Sequence, residues 1–113
     1  MSIDVEFFVK DVLKKRSGKI LFVGFANDDG TVRVGEKFIL SYKIPRTLDD
    51  ILNERPNAAP INIREISLTV TTIESMREFV KELPNGMTGA LTLSGEGMEH
   101  VDKNTFLRTS SFV

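Results

Sequence analysis

The chain has 113 residues, 41% apolar and 27% charged, with fifteen basic and sixteen acidic side chains and a net charge of −1. That length suits one domain, 1–113, which can bury roughly two-thirds of its unfolded surface without metals or disulfides. The charge balance excludes a general polyanion binder, and the lack of cysteine excludes disulfides, thiol nucleophiles and thiolate metal sites together.

In chain order, the opening Met-Ser-Ile-Asp-Val-Glu is acidic and lacks the basic-then-apolar order of a signal peptide. The apolar run Ile20 to Ala26 is strand-sized and too short to span a bilayer. A soluble, cytoplasmic protein with no membrane partner is the expectation. From Ile3 to Leu13, Ile3, Val5, Phe7 and Val9 alternate with Asp4, Glu6, Phe8 and Lys10. Period two with β-branched and aromatic residues predicts a strand, and Phe8 on the polar side implies that both faces are partly covered. Lys14-Lys15-Arg16-Ser17-Gly18-Lys19 is a polar turn, and Ile20 to Phe25 a second strand. Asn27-Asp28-Asp29-Gly30-Thr31 is a turn cluster, because Asn, Asp and Gly tolerate positive φ. Thr31 to Val34 leads into Gly35, and Lys37 to Ile44 is a third clear strand, ended by Pro45.

Thr47 to Glu54 predicts a short helix, with Thr47 as N-cap and Leu48, Ile51 and Leu52 as its apolar stripe. Pro56 and Pro60 enclose a loop. Ile61 to Ile73 alternates as a long strand, with a slip between Ile63 and Ile66 that predicts a bulge near Arg64-Glu65. Met76, Phe79, Val80 and Leu83 then fall at i, i+3, i+4 and i+7, which predicts a second helix over Glu74 to Leu83, capped by Ser75. Pro84-Asn85-Gly86 would stop it; Thr88 to Ser94 is a strand, Gly95-Glu96-Gly97 a turn, and Val101 to Asn104 another. Thr105 to Arg108 reads as a last strand with room to run to Val113. About six strands spaced by turn signals predict an all-β fold, a small closed six-stranded Greek-key-like barrel with one or two short helices. Closure removes the edges that an open sheet would have to protect.

Catalytic signatures are missing. The single histidine, His100, lies beside Glu99 and Asp102, and together with Glu96 these have no zinc-motif spacing. No serine sits in a nucleophile elbow, and there is no phosphate-binding glycine loop. Asp28-Asp29 and Asp49-Asp50 are adjacent in sequence, the pattern of solvated charge rather than of an acid/base couple. The expectation is a non-enzyme with no cofactor, no metal and no nucleotide. Lys10, Lys14, Lys15, Arg16 and Lys19 concentrate positive charge at the first hairpin, relieved only by Asp11. Such a cluster can neutralise phosphates of an RNA end, and equally it can guard a hairpin from unwanted pairing. Base stacking needs exposed aromatics beside such a cluster, and Phe8 is the only nearby candidate for an outward ring.

Three pieces of this pattern occur in a recognisable order. They are Phe7-Phe8-Val9-Lys10-Asp11-Val12, then Gly30-Thr31-Val32-Arg33-Val34-Gly35-Glu36, then Leu91-Thr92-Leu93-Ser94-Gly95. With Ser17 to Gly24 between the first two, they resemble domain II of the translational GTPases, the β-barrel that follows the GTPase domain in elongation factor Tu and its relatives. Nearly the whole chain is covered. The resemblance implies a barrel, and in that family the barrel helps hold the aminoacylated end of tRNA. The family does so with an acidic pair and an aromatic on the first strand and an Arg in the next turn. Here those positions hold Lys10-Asp11, Leu13 and Ser17-Gly18-Lys19, so Asp11 alone is retained. The GTPase domain lies outside the resemblance, and Tyr42 to Pro60 is an elaboration on it.

Two functions follow as expectations. The first is a binding module for a protein partner, with an adaptor, inhibitor or immunity-type role, engaging it through Arg46, Asp49, Asp50 and Arg55 of the elaborated loop. The second is an RNA-, tRNA- or ribosome-binding module that uses Lys10, Asp11, Lys14, Lys15, Arg16 and Lys19.

Overall fold

A computed structural model describes residues 5–27, 30–44 and 60–110. Among these, strands run in the order β1 (Glu6–Lys14), β2 (Ile20–Asn27), β3 (Val32–Arg33), β4 (Lys37–Lys43) and β5 (Ile61–Ser75). They continue as β6 (Glu78–Val80), β7 (Glu82–Leu83), β8 (Thr88–Glu96) and β9 (Thr105–Arg108). The main sheet has the order β4-β9-β1-β2-β8-β5-β6, and an added β4–β5 pairing joins its ends. Six antiparallel strands therefore close into a barrel. β6 continues the edge of β5 that β4 leaves, and β3 pairs with β7 as a separate two-stranded ribbon.

Period-two patterning explains the interior. Phe7 and Val9 of β1, Phe22 of β2, Leu68, Val70 and Ile73 of β5, Leu91 of β8 and Leu107 of β9 are all buried in one cluster. Each such side chain contributes about 1.5–3 kcal/mol by leaving water. Val32 and Leu83, both fully buried, carry the ribbon into the same core. The ribbon is held at the end of β2, where the Gly86 N–H donates to the Ala26 carbonyl at 3.3 Å.

β5 serves three neighbours because it is long and bulged. Its register against β4 slips between Leu68 and Glu65 and again between Arg64 and Ile61, on both sides of the predicted bulge site. The slips leave Ile61 and Ile63 exposed while Ile66 is buried. At the β5–β8 corner Gly95 has φ +137°, and a Cβ there would lie 1.9 Å from the Ser67 carbonyl oxygen. Only glycine fits that corner.

The helix expected over Glu74 to Leu83 is not formed. β5 runs on to Ser75, Met76 and Arg77 turn with φ 53° and 67°, and the chain returns as β6 with Ser75 opposite Glu78. A two-residue hairpin with both central residues left-handed follows the natural strand twist, so sheet pairing overrides the helical spacing. The one short helix described is a 3-10 turn, Met98–His100. The helix expected over Thr47 to Glu54 lies outside the described residues; β9 stops at Arg108, Thr109 and Ser110 bend away from strand geometry, and residues 111–113 are not described.

Candidate binding surfaces

The basic hairpin forms as expected. The Lys15 N–H donates to the Lys19 carbonyl at 2.8 Å and the Gly18 N–H to the Lys15 carbonyl at 2.9 Å, with Gly18 at φ +89°. Lys14, Lys15 and Arg16 are exposed at this tip, and Lys19 is half-buried. Lys10 is exposed at the register slip between Val9 and Asp11. The Asp11 carboxylate accepts the Val12 backbone N–H at 2.9 Å, so part of its acceptor capacity is used locally. The other expected surface, Arg46, Asp49, Asp50 and Arg55, lies outside the described residues.

Strand register carries the hairpin's face around the barrel wall. Asp11 pairs with Val23, Val23 with Ala90, Ala90 with Glu74, and Glu74 with Phe79. Register partners share a face of the sheet, so this row lies on the outer wall and ends at Phe79. That ring is 69% exposed, and Met76 in the adjoining turn is 84% exposed. The Lys19 ammonium sits 5.8 Å from the Phe79 ring centroid, within cation–π range. Sequence reasoning missed Phe79 and Met76 because it placed both on the buried face of a helix.

A second row on the same wall is aromatic. Phe25, Phe8, Phe106 and Tyr42 are successive register partners on β2, β1, β9 and β4. Ring centroids are 5.5 Å apart for Phe25–Phe8, 4.9 Å for Phe8–Phe106 and 5.6 Å for Phe106–Tyr42, the last pair nearly parallel at 9°. The three phenylalanines are half-buried and Tyr42 is buried. The Tyr42 hydroxyl donates to Glu6, whose carboxylate also lies 4.0 Å from the Arg108 guanidinium. Burial, then that bond to Glu6, pushes the Tyr42 phenol far above its ordinary range. Phe8 is thus an outward ring beside the hairpin strand, as its place in the sequence implied, but it has ring neighbours on both sides.

His100 and Asp102 lie together before β9. His100 Nε2 is 3.6 Å from Glu99 Oε1, and the Asp102 carboxylate receives the Thr105 hydroxyl at 2.6 Å and the Lys43 ammonium at 3.1 Å. The Thr105 bond, with help from Lys43, holds Asp102 below the usual carboxylate range against the opposing effect of burial. Among the described residues no group of three or more His, Asp or Glu side chains is placed to hold a metal ion. No helix among them is long and apolar enough to cross a membrane.

No protein-family model matches the sequence, and no curated protein matches it. Among solved structures the chain is similar to translation elongation factor SelB from Methanococcus maripaludis in its apo form, with a TM-score of 0.61 at 15% identity. The match covers 96% of this chain and 19% of that one, so the chain spans about a fifth of its structural neighbour. The shared fold is a closed six-stranded antiparallel barrel, like the stretch of that elongation factor which the chain matches.

Proposed function

We propose that the chain is a non-catalytic cytoplasmic binding module linked to translation, and that its main partner is a protein. The observation that carries this reading is the β5–β6 hairpin, which holds Met76 and Phe79 in water at 84% and 69% exposure. Two non-glycine residues in left-handed backbone cost on the order of 1–3 kcal/mol each. Exposing large apolar side chains there forgoes burial that would offset the cost, and clustered exposure of this kind marks interaction surfaces. The Lys19 ammonium lies over the Phe79 ring and belongs to the same hairpin as the exposed Lys14, Lys15 and Arg16, so the matching partner offers an apolar pocket with an acidic rim. The barrel's likeness to part of an elongation factor supports the link to translation. An adaptor, inhibitor or immunity-type role fits a domain that presents one such surface.

The test is retention of lysate proteins at moderate salt by the chain and by its Phe79→Asp variant. A stoichiometric protein held by the first and lost from the second is the expected result. Equal retention by both, or none by either, removes the reading.

One observation favours RNA as the second reading: the Lys19 ammonium over the exposed Phe79 ring, beside the basic tip. An aromatic platform next to phosphate-neutralising lysines is what single-stranded RNA uses. Filter binding of tRNA and ribosomes over a salt series separates the two. RNA binding requires an affinity that falls steeply with salt and drops further when Lys14, Lys15 and Arg16 become alanine.

A further inference from the structure

At the barrel end beside the 3-10 turn, the wall opens into a polar cavity of about 280 Å³. Ser41 and Lys43 of β4, Arg64 of β5, Thr105 of β9, and His100 and Asp102 before β9 line it. Barrel mouths are common places for small-ligand sites.

Two features of this cavity are not explained by the packing of the chain. The first is Ser41, which is 1% exposed and whose hydroxyl has no hydrogen-bond partner among the described residues. Its register partner on β9 is Leu107, a fully buried core residue, so Ser41 sits on the inner wall. Buried hydroxyls are nearly always satisfied, so one left over at a cavity calls for a ligand group. The second is Arg64. It is exposed, is the register partner of Ser41 on the other side of β4, and has no ion-pair partner among the described residues. Directly opposed residues have Cβ atoms about 5 Å apart, which brings the guanidinium and the hydroxyl within reach of one small group.

Of the two carboxylates that line the cavity, that of Asp102 is already engaged, by Lys43 and Thr105, and Glu99 stands beside His100. What an incoming group meets is therefore a guanidinium fork and an inner hydroxyl donor. Arginine is the side chain that binds carboxylate and phosphate oxygens in pairs. We propose that this mouth binds a small oxyanion, a carboxylate or phosphate group, between the Arg64 guanidinium and the Ser41 hydroxyl. The site is separate from the Met76–Phe79 surface and does not depend on it.

The experiment is an amide chemical-shift titration of the full chain with inorganic phosphate and, in a parallel arm, acetate. Saturable shifts centred on Ser41, Arg64 and Thr105 are expected in at least one arm, and the tighter arm identifies the preferred anion geometry. Arg64→Gln, at an exposed position that leaves the core intact, should weaken binding about tenfold or more. Arg64→Lys should recover part of it, because charge returns without the fork. Ser41→Ala should weaken binding while leaving the unliganded fold at least as stable. Shifts that grow linearly without saturation, or that persist unchanged in Arg64→Gln, overturn the proposal.

Discussion

Gly24 of β2 passes Phe8 of β1 so closely that a Cβ on it would stand 1.8 Å from the Phe8 carbonyl oxygen and 3.1 Å from the Phe7 ring. Gly24 is also the register partner of Val9, the last residue before the register slip in β1. The absent side chain lets the two backbones close up where the barrel wall bends. Gly24→Ala is therefore expected to push β1 off β2 and to cost about 2–4 kcal/mol. Urea unfolding reads this as a lower midpoint with an unchanged slope. An unaltered midpoint would mean that the strands can part there at no cost.

The Met76-Arg77 turn offers a change of opposite sign. Both residues hold positive φ, at 53° and 67°, where Asn and Gly are the favoured pair. Replacing Met76 by Asn and Arg77 by Gly should stabilise the fold by about 1 kcal/mol each, a rise of several degrees in the melting temperature. If the hairpin is the docking element, the same Met76→Asn variant should bind the protein partner less well while melting higher. A gain in both stability and binding would separate the turn from the interface.

That turn also shows where the sequence stopped being informative. The strands at Ile20, Lys37, Ile61 and Thr88 were legible because period-two patterning and glycine or proline stops agreed. Residues 76–83 satisfied a helical spacing by coincidence. Phe79 and Val80 alternate between the outer wall and the core, and Leu83 reaches the core from a separate strand after a break at Lys81. Met-Arg carries none of the chemistry that announces a tight hairpin, so nothing local signalled the reversal. The basic hairpin was legible because its residues are contiguous. Ser41 and Arg64 were not, because 23 positions separate them in the numbering and only the β4–β5 register makes them neighbours.

Tyr42 gives the fold an alkaline limit. Its phenol is buried, and burial together with the bond to Glu6 raises its pKa far above the ordinary 10.0. Above pH 10 the unfolded chain therefore loses a proton that the folded chain keeps, and stability falls by about 1.4 kcal/mol per pH unit from this group. Below pH 10 the contribution is fully present. Tyr42→Phe should cost about 1–3 kcal/mol at neutral pH, because Glu6 loses a donor, and should flatten the decline above pH 10. Urea midpoints of the two proteins between pH 8 and 11 (roughly the range in which an ordinary tyrosine ionises) measure both effects. Parallel pH curves would show that Tyr42 ionises as freely in the fold as out of it.

The aromatic row is expected to act through contacts between neighbours. Phe106 lies 4.9 Å from Phe8 and stacks on Tyr42 at 5.6 Å between ring centroids, while the ring neighbour of Phe25 among the described residues is Phe8. Ring pairs of this geometry add about 0.5–1.5 kcal/mol beyond their burial. Phe8→Ala and Phe106→Ala should therefore be non-additive by about 1 kcal/mol in a double-mutant cycle. Phe25 and Tyr42 contact different rings of the row, Phe8 and Phe106, and the effects of Phe25→Ala and Tyr42→Phe should add within about 0.5 kcal/mol. The two cycles together decide whether the row is a set of coupled pairs or a rigid unit. Strong coupling between the outermost members, Phe25 and Tyr42, would mean that β2, β1, β9 and β4 respond as one plate.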